Sequence, residues 1–236
     1  MIALMLLMIS ASPVLSQGKE ITSLHVGYSA VNPPSSLVWI MKEEGLFEEN
    51  GLQASLIFMR GGITHTQAII AGDVQFGQLT GPPGLSAYLA GGPVVYIASS
   101  QDMMTYQLVA RSDIKNVSQL SGKTLAISQY GASADFALRL MLKHVEINPE
   151  KQVKILQIGD EAARLAALIN GHIDGTIVNA PFGLSAKQYN LNVLLDSTKL
   201  NIPYFNTGIL TTRTIMRDQS DTVRRFIRGY VKAISY

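Results

Sequence analysis

The 236 residues contain no cysteine. Disulfides, thiolate metal sites and cysteine nucleophiles are therefore excluded, while an oxidising compartment stays open to the chain. Charge is scarce and balanced: 15% of residues are charged, and 19 basic against 17 acidic side chains leave a net +2. With no basic stripe anywhere, nucleic acid is not an expected partner. The four histidines, His25, His65, His144 and His172, are scattered, without HExxH or other paired-ligand spacing. No metal or cofactor is expected. Neither Gly61-Gly62 nor Gly91-Gly92 is followed by the glycines or lysine of a phosphate-binding loop. The two Gly-Leu-Ser-Ala runs lack the glycine a nucleophile elbow requires. Catalysis finds little support in these residues.

What is present begins with an almost unbroken run of Met, Ile, Leu and Ala from Met1 to Ala11, followed by SPVLSQG. Its length suits a signal-peptide core and is too short for a bilayer span. Val14 and Ser16 fit a small-residue cleavage site, so residues 1–16 are expected to be an export leader with an incomplete basic region. An apolar first helix is the other reading. Nothing later is long or apolar enough to span a membrane, and no cysteine is available for a lipid anchor. At the other end, Asp221 to Tyr236 has helical periodicity, with Val223, Phe226, Ile227, Tyr230 and Val231 on one side and no C-cap. A truncated C-terminus is expected.

Between the ends, short apolar runs alternate with helical patterns. Leu24 to Tyr28 reads as a buried strand, followed by a Pro- and Ser-containing loop and an amphipathic helix bearing Val38, Ile40, Met41 and Leu46. Ser35 or Ser36 is placed to cap that helix. Trp39 is expected in the core. Further strands are expected at Ala54 to Met59, Val74 to Leu79 and Val94 to Ser99. The helices between them are read as Gln67 to Ala71, capped by Thr64, and Leu85 to Ala90 after a Thr80-Gly81-Pro82-Pro83-Gly84 loop. Short βα connections imply mainly parallel, right-handed sheets. A polar break at Ser99 to Asp102 marks a crossing into a second lobe, and Phe205 to Thr211 the return. The expected division is 20–100, then 101–204, then 205–236.

An internal repeat supports two lobes. Residues 67 to 87 align without gaps on 166 to 186, at a constant offset of 99, with Gly72 on Gly171 and Pro82 on Pro181. Thr80-Gly81 and Asn179-Ala180 thereby become equivalent strand-end loops, and two sheets facing across a hinge would bring both to one cleft. The neutral hydrogen-bonding side chains at these strand ends and crossings are Ser35, Ser36, Thr64, Thr80, Gln129, Tyr130, Ser133, Asn179 and Asn206. Several precede helices whose N-termini favour an anion. Taken singly, each Ser or Thr has the ordinary role of an N-cap. Tyr28, Tyr130 and Phe205 are candidates for stacking on a flat ligand, and Arg60 and Arg111 for pairing with an anion.

The segments LHVGYSAVNPPSSLVWIMKEEGLFEENGLQ, QAIIAGDVQFGQ, LSGKTLAISQYGAS and AALINGHIDGTIVNAPF together resemble the periplasmic substrate-binding proteins of ABC importers. The branch is the NMT1/THI5-like one, related to sulfonate-, nitrate- and thiamine-pyrimidine-binding proteins. The resemblance implies an α/β, two-lobed, type II periplasmic-binding fold, each lobe a mainly parallel sheet flanked by helices and the two joined by crossing strands. It implies a monomeric receptor outside the cytoplasm that holds a small solute between its lobes and delivers it to a membrane permease driven by an ATPase. By resemblance, the ligand-binding positions are Ser35, Ser36, Gly62, Thr64, Thr80, Gly81, Gln129, Tyr130, Gly131, Ala132, Ser133 and Asn179; Asn206 joins them from its place on the return strand. The absent cysteine argues against the fungal pyrimidine-forming members. The alternative is an enzyme on the same fold acting on a small precursor, with a cleft carboxylate or His65 as acid/base.

Overall fold

The computed structural model describes residues 21–29, 35–179 and 182–236. The expected leader over residues 1–16, the Pro33-Pro34 pair and Ala180-Pro181 lie outside the described residues.

Two five-stranded sheets form the frame. The first is built from β1 (Thr22–Tyr28), β2 (Leu52–Phe58), β3 (Phe76–Leu79), β4 (Val94–Met103) and β10 (Pro203–Thr212), in the order β2-β1-β3-β10-β4. The second contains β5 (Tyr106–Arg111), β6 (Thr124–Ile127), β7 (Lys154–Gln157), β8 (Gly175–Asn179) and β9 (Leu191–Asp196), in the order β7-β6-β8-β5-β9. Both sheets are mixed. β1 pairs in parallel with β2 and β3, while β10 runs antiparallel to β3 and β4. Likewise β6 is parallel to β7 and β8, and β5 is antiparallel to β8 and β9. One reversed strand per sheet is what a chain that crosses between lobes leaves behind.

The repeat seen in sequence extends to register. Val26 lies between Leu56 and Phe76; Leu125, ninety-nine residues on, lies between Ile155 and Gly175, each shifted by the same interval. Helix α3 (Gly62–Ala71) corresponds in the same way to α6 (Glu161–Ile169), and α4 (Gly81–Leu89) to the 3-10 segment Phe182–Tyr189.

Each sheet is covered on both faces, so its strands read as nearly continuous apolar runs. On one face of the first sheet pack α1 (Leu37–Glu43), α2 (Leu46–Glu49) and α8 (Ser220–Ala233), which follows α7 (Arg213–Asp218). Phe226 of α8 stacks on Phe76 at 4.2 Å. On the other face, Ile69 of α3 meets Leu79 and Leu210. In the second sheet α5 (Ser133–His144) covers one face through Leu138 and Met141, and α6 the other through Leu165 and Leu168. Among the described residues no helix is long and apolar enough to cross a membrane.

Several local expectations are corrected. α3 begins at Gly62, so Thr64 lies inside its first turn, exposed, rather than capping it. α4 begins at Gly81 and takes Pro82 and Pro83 into its first turn, where no intrahelical N–H bond is lost. Trp39 is 40% exposed and meets Tyr28 edge-on, because Val38 and Met41, three apart, already define the inward stripe of α1. Val231 is exposed for the same reason, one step off the Phe226–Tyr230 stripe. The polar stretch Ser99 to Asp102 does not break β4. Its side chains serve the crossing instead: Asn206 donates to Gln101 at 2.8 Å, and Ser100 donates to the Thr207 carbonyl at 3.4 Å.

Candidate functional site

The strand ends of both sheets open onto one cavity of about 640 Å³. From the first sheet's side it is lined by Ser29, Ser35, Phe58, Arg60, Gly61, Gly62 and Thr80. From the second come Tyr106, Gln129, Ser133, Glu161, Arg164 and Asn179, and β10 adds Asn206 and Thr207.

Helix N-termini converge on it. α3 enters through Gly61, whose φ of +80° suits glycine, so no side chain shields the first-turn N–H groups. α4 enters through Thr80, whose hydroxyl does not cap its own helix but meets the Ser133 hydroxyl at the start of α5 across the cleft. The Thr80 main chain is held by Tyr96, whose hydroxyl donates to the Thr80 carbonyl at 2.6 Å. Neither α3 nor α4 carries an acidic residue in its first turn. Uncapped N–H groups and the helix dipole make this wall favourable to an anion.

The α6 wall differs. Asp160 caps its own helix, accepting the Ala163 N–H at 2.9 Å, and pairs across the cleft mouth with Arg60 at 3.4 Å. Glu161 accepts the main-chain N–H of Asn179, and burial pushes its carboxyl above the usual range. Arg164 is 3% exposed. Its guanidinium donates to Thr176 Oγ1 at 3.1 Å, the Gly159 carbonyl at 2.7 Å and the Ile177 carbonyl at 3.0 Å, and burial lowers its affinity for the proton. A polar chain closes the back of the cavity: Asn206 donates to Thr105 Oγ1 at 3.2 Å, and Thr105 donates to Asn179 Oδ1 at 3.2 Å. Tyr106, buried beside Asn179, has its phenol pushed up and stays neutral.

Of the residues expected to bind ligand, the cavity gathers Ser35, Gly62, Thr80, Gln129, Ala132, Ser133, Asn179 and Asn206. Ser36, Thr64, Gly81, Tyr130 and Gly131 are outside its lining. Ser36 holds the N-cap position of α1, and Gly81 is buried against Phe205. Gly131 donates its N–H to Asp135 at 2.9 Å, and the Tyr130 hydroxyl donates to the Ile155 carbonyl at 2.7 Å. Phe205 packs on Tyr96, and Arg111 pairs with Asp113 at 2.9 Å, so neither faces the cavity. His65 is also elsewhere, buried against Gly27 and Gly77. Sequence reasoning missed Phe58, Tyr106, Asp160, Glu161 and Arg164. The repeat carried a signal for the last three, because extending it toward the N-terminus sets Gly61, Gly62 and His65 against Asp160, Glu161 and Arg164.

The sequence model described as NMT1/THI5 like matches residues 32–236. The chain belongs to the NMT1/THI5-like family. A binding protein of Brucella abortus (strain 2308) is 25% identical over 213 residues, covering 86% of this chain and 63% of that protein. The chain thus spans less than two thirds of the length of this curated relative. Among solved structures, the alkanesulfonate-binding protein SsuA from Xanthomonas axonopodis pv. citri, bound to MOPS, aligns with a TM-score of 0.77 at 20% identity, over 91% of this chain and 73% of that one. The periplasmic aliphatic sulphonate binding protein SsuA from Escherichia coli aligns at 0.74 and 20% identity, over 90% and 68%. These likenesses establish the two-lobed periplasmic-binding fold that the family resemblance implies.

Proposed function

We propose that this chain is the solute-binding receptor of an ABC importer and holds a small organic anion between its lobes. The observation that carries the reading is the convergence of α3, α4 and α5 N-termini, none capped by its own N-cap side chain, on one interlobe cavity. Such a site binds without chemistry: among the described residues its lining has no histidine and no nucleophile–base pair. His65, the acid/base candidate of the enzyme alternative, is buried away from the cavity and held neutral, its pKa lowered to about 4. The names of the relatives, which are binding proteins and in two structures bind sulfonates, support the same class.

In this reading residues 20–100 and 205–236 form the first lobe, with β4 running on to Met103, and 101–204 the second. Ligand bridging the walls stabilises the closed state by its differential affinity. The receptor acts as a monomer outside the cytoplasm, led there by the apolar N-terminal segment, and hands its solute to a membrane permease powered by an ATPase. Native mass spectrometry of the purified chain, before and after unfolding, tests the reading. A released small acid of defined mass, returned chemically unchanged after incubation, is the expected result. Turnover of that molecule would refute a receptor.

A further inference from the structure

Both crossings between the sheets lie at one edge of each. β4 leads into β5 and β9 into β10, and these strands occupy the last two places of the two sheets, β10-β4 and β5-β9. β2 and β7 form the opposite edges. From those edges come two equivalent loops, offset by 99 residues: Arg60-Gly61 enters α3, and Gly159-Asp160 enters α6. Charge and glycine exchange places between them, and the opposite charges meet across the cleft mouth, with Arg60 Nη1 at 3.4 Å from Asp160 Oδ2. Among the described residues no other ion pair joins one sheet's side to the other's. Three to four strand spacings of about 4.8 Å separate this edge from the crossings, a lever of about 14–19 Å. A hinge rotation of about 15° moves the edge by about 4–5 Å and breaks the pair, while contacts at the crossings, such as Asn206 on Gln101, barely move.

We propose that Arg60 and Asp160 are the latch of the cleft, an ion pair made when the lobes close and broken when they open, which sets the ratio of closed to open receptor. This rests on the receptor reading and adds to it the contact that governs closure. Asp160 keeps its other oxygen on the Ala163 N–H, so the cap of α6 holds the carboxylate in place for Arg60. The two side chains are 81% and 52% exposed, so water and salt screen the pair, and it shifts the ratio only about two- to fivefold. A pair of this size biases closure and still lets the cleft reopen; bound solute adds its own differential affinity for the closed form.

The test is double electron–electron resonance on the full chain without solute. Because the sequence has no cysteine, spin labels go on Ser55→Cys of β2 and Lys154→Cys of β7, exposed positions that the repeat makes equivalent on the two far edges. Arg60→Gln and Asp160→Asn should each lower the ratio of short to long distances about two- to fivefold, and the double variant should fall no further. About 1 M NaCl should act on the wild type as either substitution does and leave the double variant unchanged. Folding is not at stake, since Arg60 is exposed and asparagine keeps an oxygen for the Ala163 N–H. Thr80→Arg, which wedges a long side chain into the Thr80–Ser133 contact, is the control that populates the open form; repeating the cycle in that background keeps the ratio readable if the wild type is almost wholly closed. Additive losses in the double variant, or long distances alone in the wild type, would overturn the latch. Lengthening by Thr80→Arg with no effect of either charge substitution would also overturn it and leave the hinged receptor standing. One distance that no variant changes, Thr80→Arg included, would overturn the closing receptor itself.

Discussion

His65→Leu is expected to leave the protein at least as stable near neutral pH and to flatten the acid side of its stability profile. The imidazole is fully buried on the α3 face of the first sheet, where its Nε2 lies against Gly27 and Gly77. Neither ring nitrogen has a hydrogen-bond partner among the described residues. Desolvation therefore lowers its pKa from 6.5 to about 4. The unfolded chain takes up this proton as pH falls through about 6.5, whereas the folded chain resists until about 4. The unfolded state thus binds more protons between those values, and stability rises with pH across the window. The shift corresponds to about 3 kcal/mol in total, of which about 2 kcal/mol is already lost at pH 5. Leucine has no proton to bind, and it removes two polar atoms whose unsatisfied burial costs about 1–3 kcal/mol. Urea denaturation at pH 7.5, 6.5, 5.5 and 5 reads the difference directly. The gap between variant and wild type should widen by about 2 kcal/mol from pH 7.5 to 5. If both proteins lose stability in parallel over that range, the imidazole is not buried neutral and the reasoning fails.

Three shorter expectations follow from the same frame. Gly77→Ala would put a β-carbon 2.4 Å from His65 Nε2; it should destabilise by about 1–3 kcal/mol, and the combination with His65→Ala should recover part of that loss in chemical denaturation. Thr80→Ala with Asn179→Ala should weaken solute binding in titration calorimetry while unfolding stays cooperative, since both side chains line the cavity. Arg164→Met should lower stability by about 3 kcal/mol by stranding two carbonyls and the Glu161 charge, and Arg164→Lys should rescue little because an ammonium cannot span the three acceptors.

Much of the frame was legible because strand and helix periods survive in an apolar, doubly covered sheet. The constant offset between Gly72 and Gly171 placed Thr80 and Asn179 at matching strand ends, and both line the cavity. Legibility failed where one residue type serves two purposes. Gly62 and the Gly81-Pro82-Pro83 run read as loop, yet a helix's first turn has spare N–H groups and tolerates both residue types. Ser99 to Asp102 read as a break, yet β4 continues there because β10 supplies matching polar partners, as in the Thr207–Gln101 pairing. Glu161 and Arg164 stand in no motif of the sequence. Only the three-dimensional position of the α6 start turns them into cavity wall, and a helical period alone cannot distinguish solvent from a ligand space.

The paired positions 65 and 164 show how the two lobes differ within one shared register. Arg164 is tolerated because Thr176 supplies a hydroxyl acceptor, itself held by donation to the Ala126 carbonyl at 2.9 Å. In the first lobe the equivalents of Thr176 and Ala126 are Gly77 and Gly27, which offer the space an imidazole fills and no hydroxyl for a guanidinium. The identity at position 65 is thus bound to that at 77. His65→Arg alone should be destabilised by several kcal/mol, because a buried guanidinium loses its hydration without a full set of acceptors. Adding Gly77→Thr should restore a measurable part of that loss, since the hydroxyl then occupies the place it holds beneath Arg164. Unfolding midpoints of the two variants decide the matter. A His65→Arg protein as stable as the wild type would show that the first lobe already contains acceptors there, and the coupling between the two positions would be void.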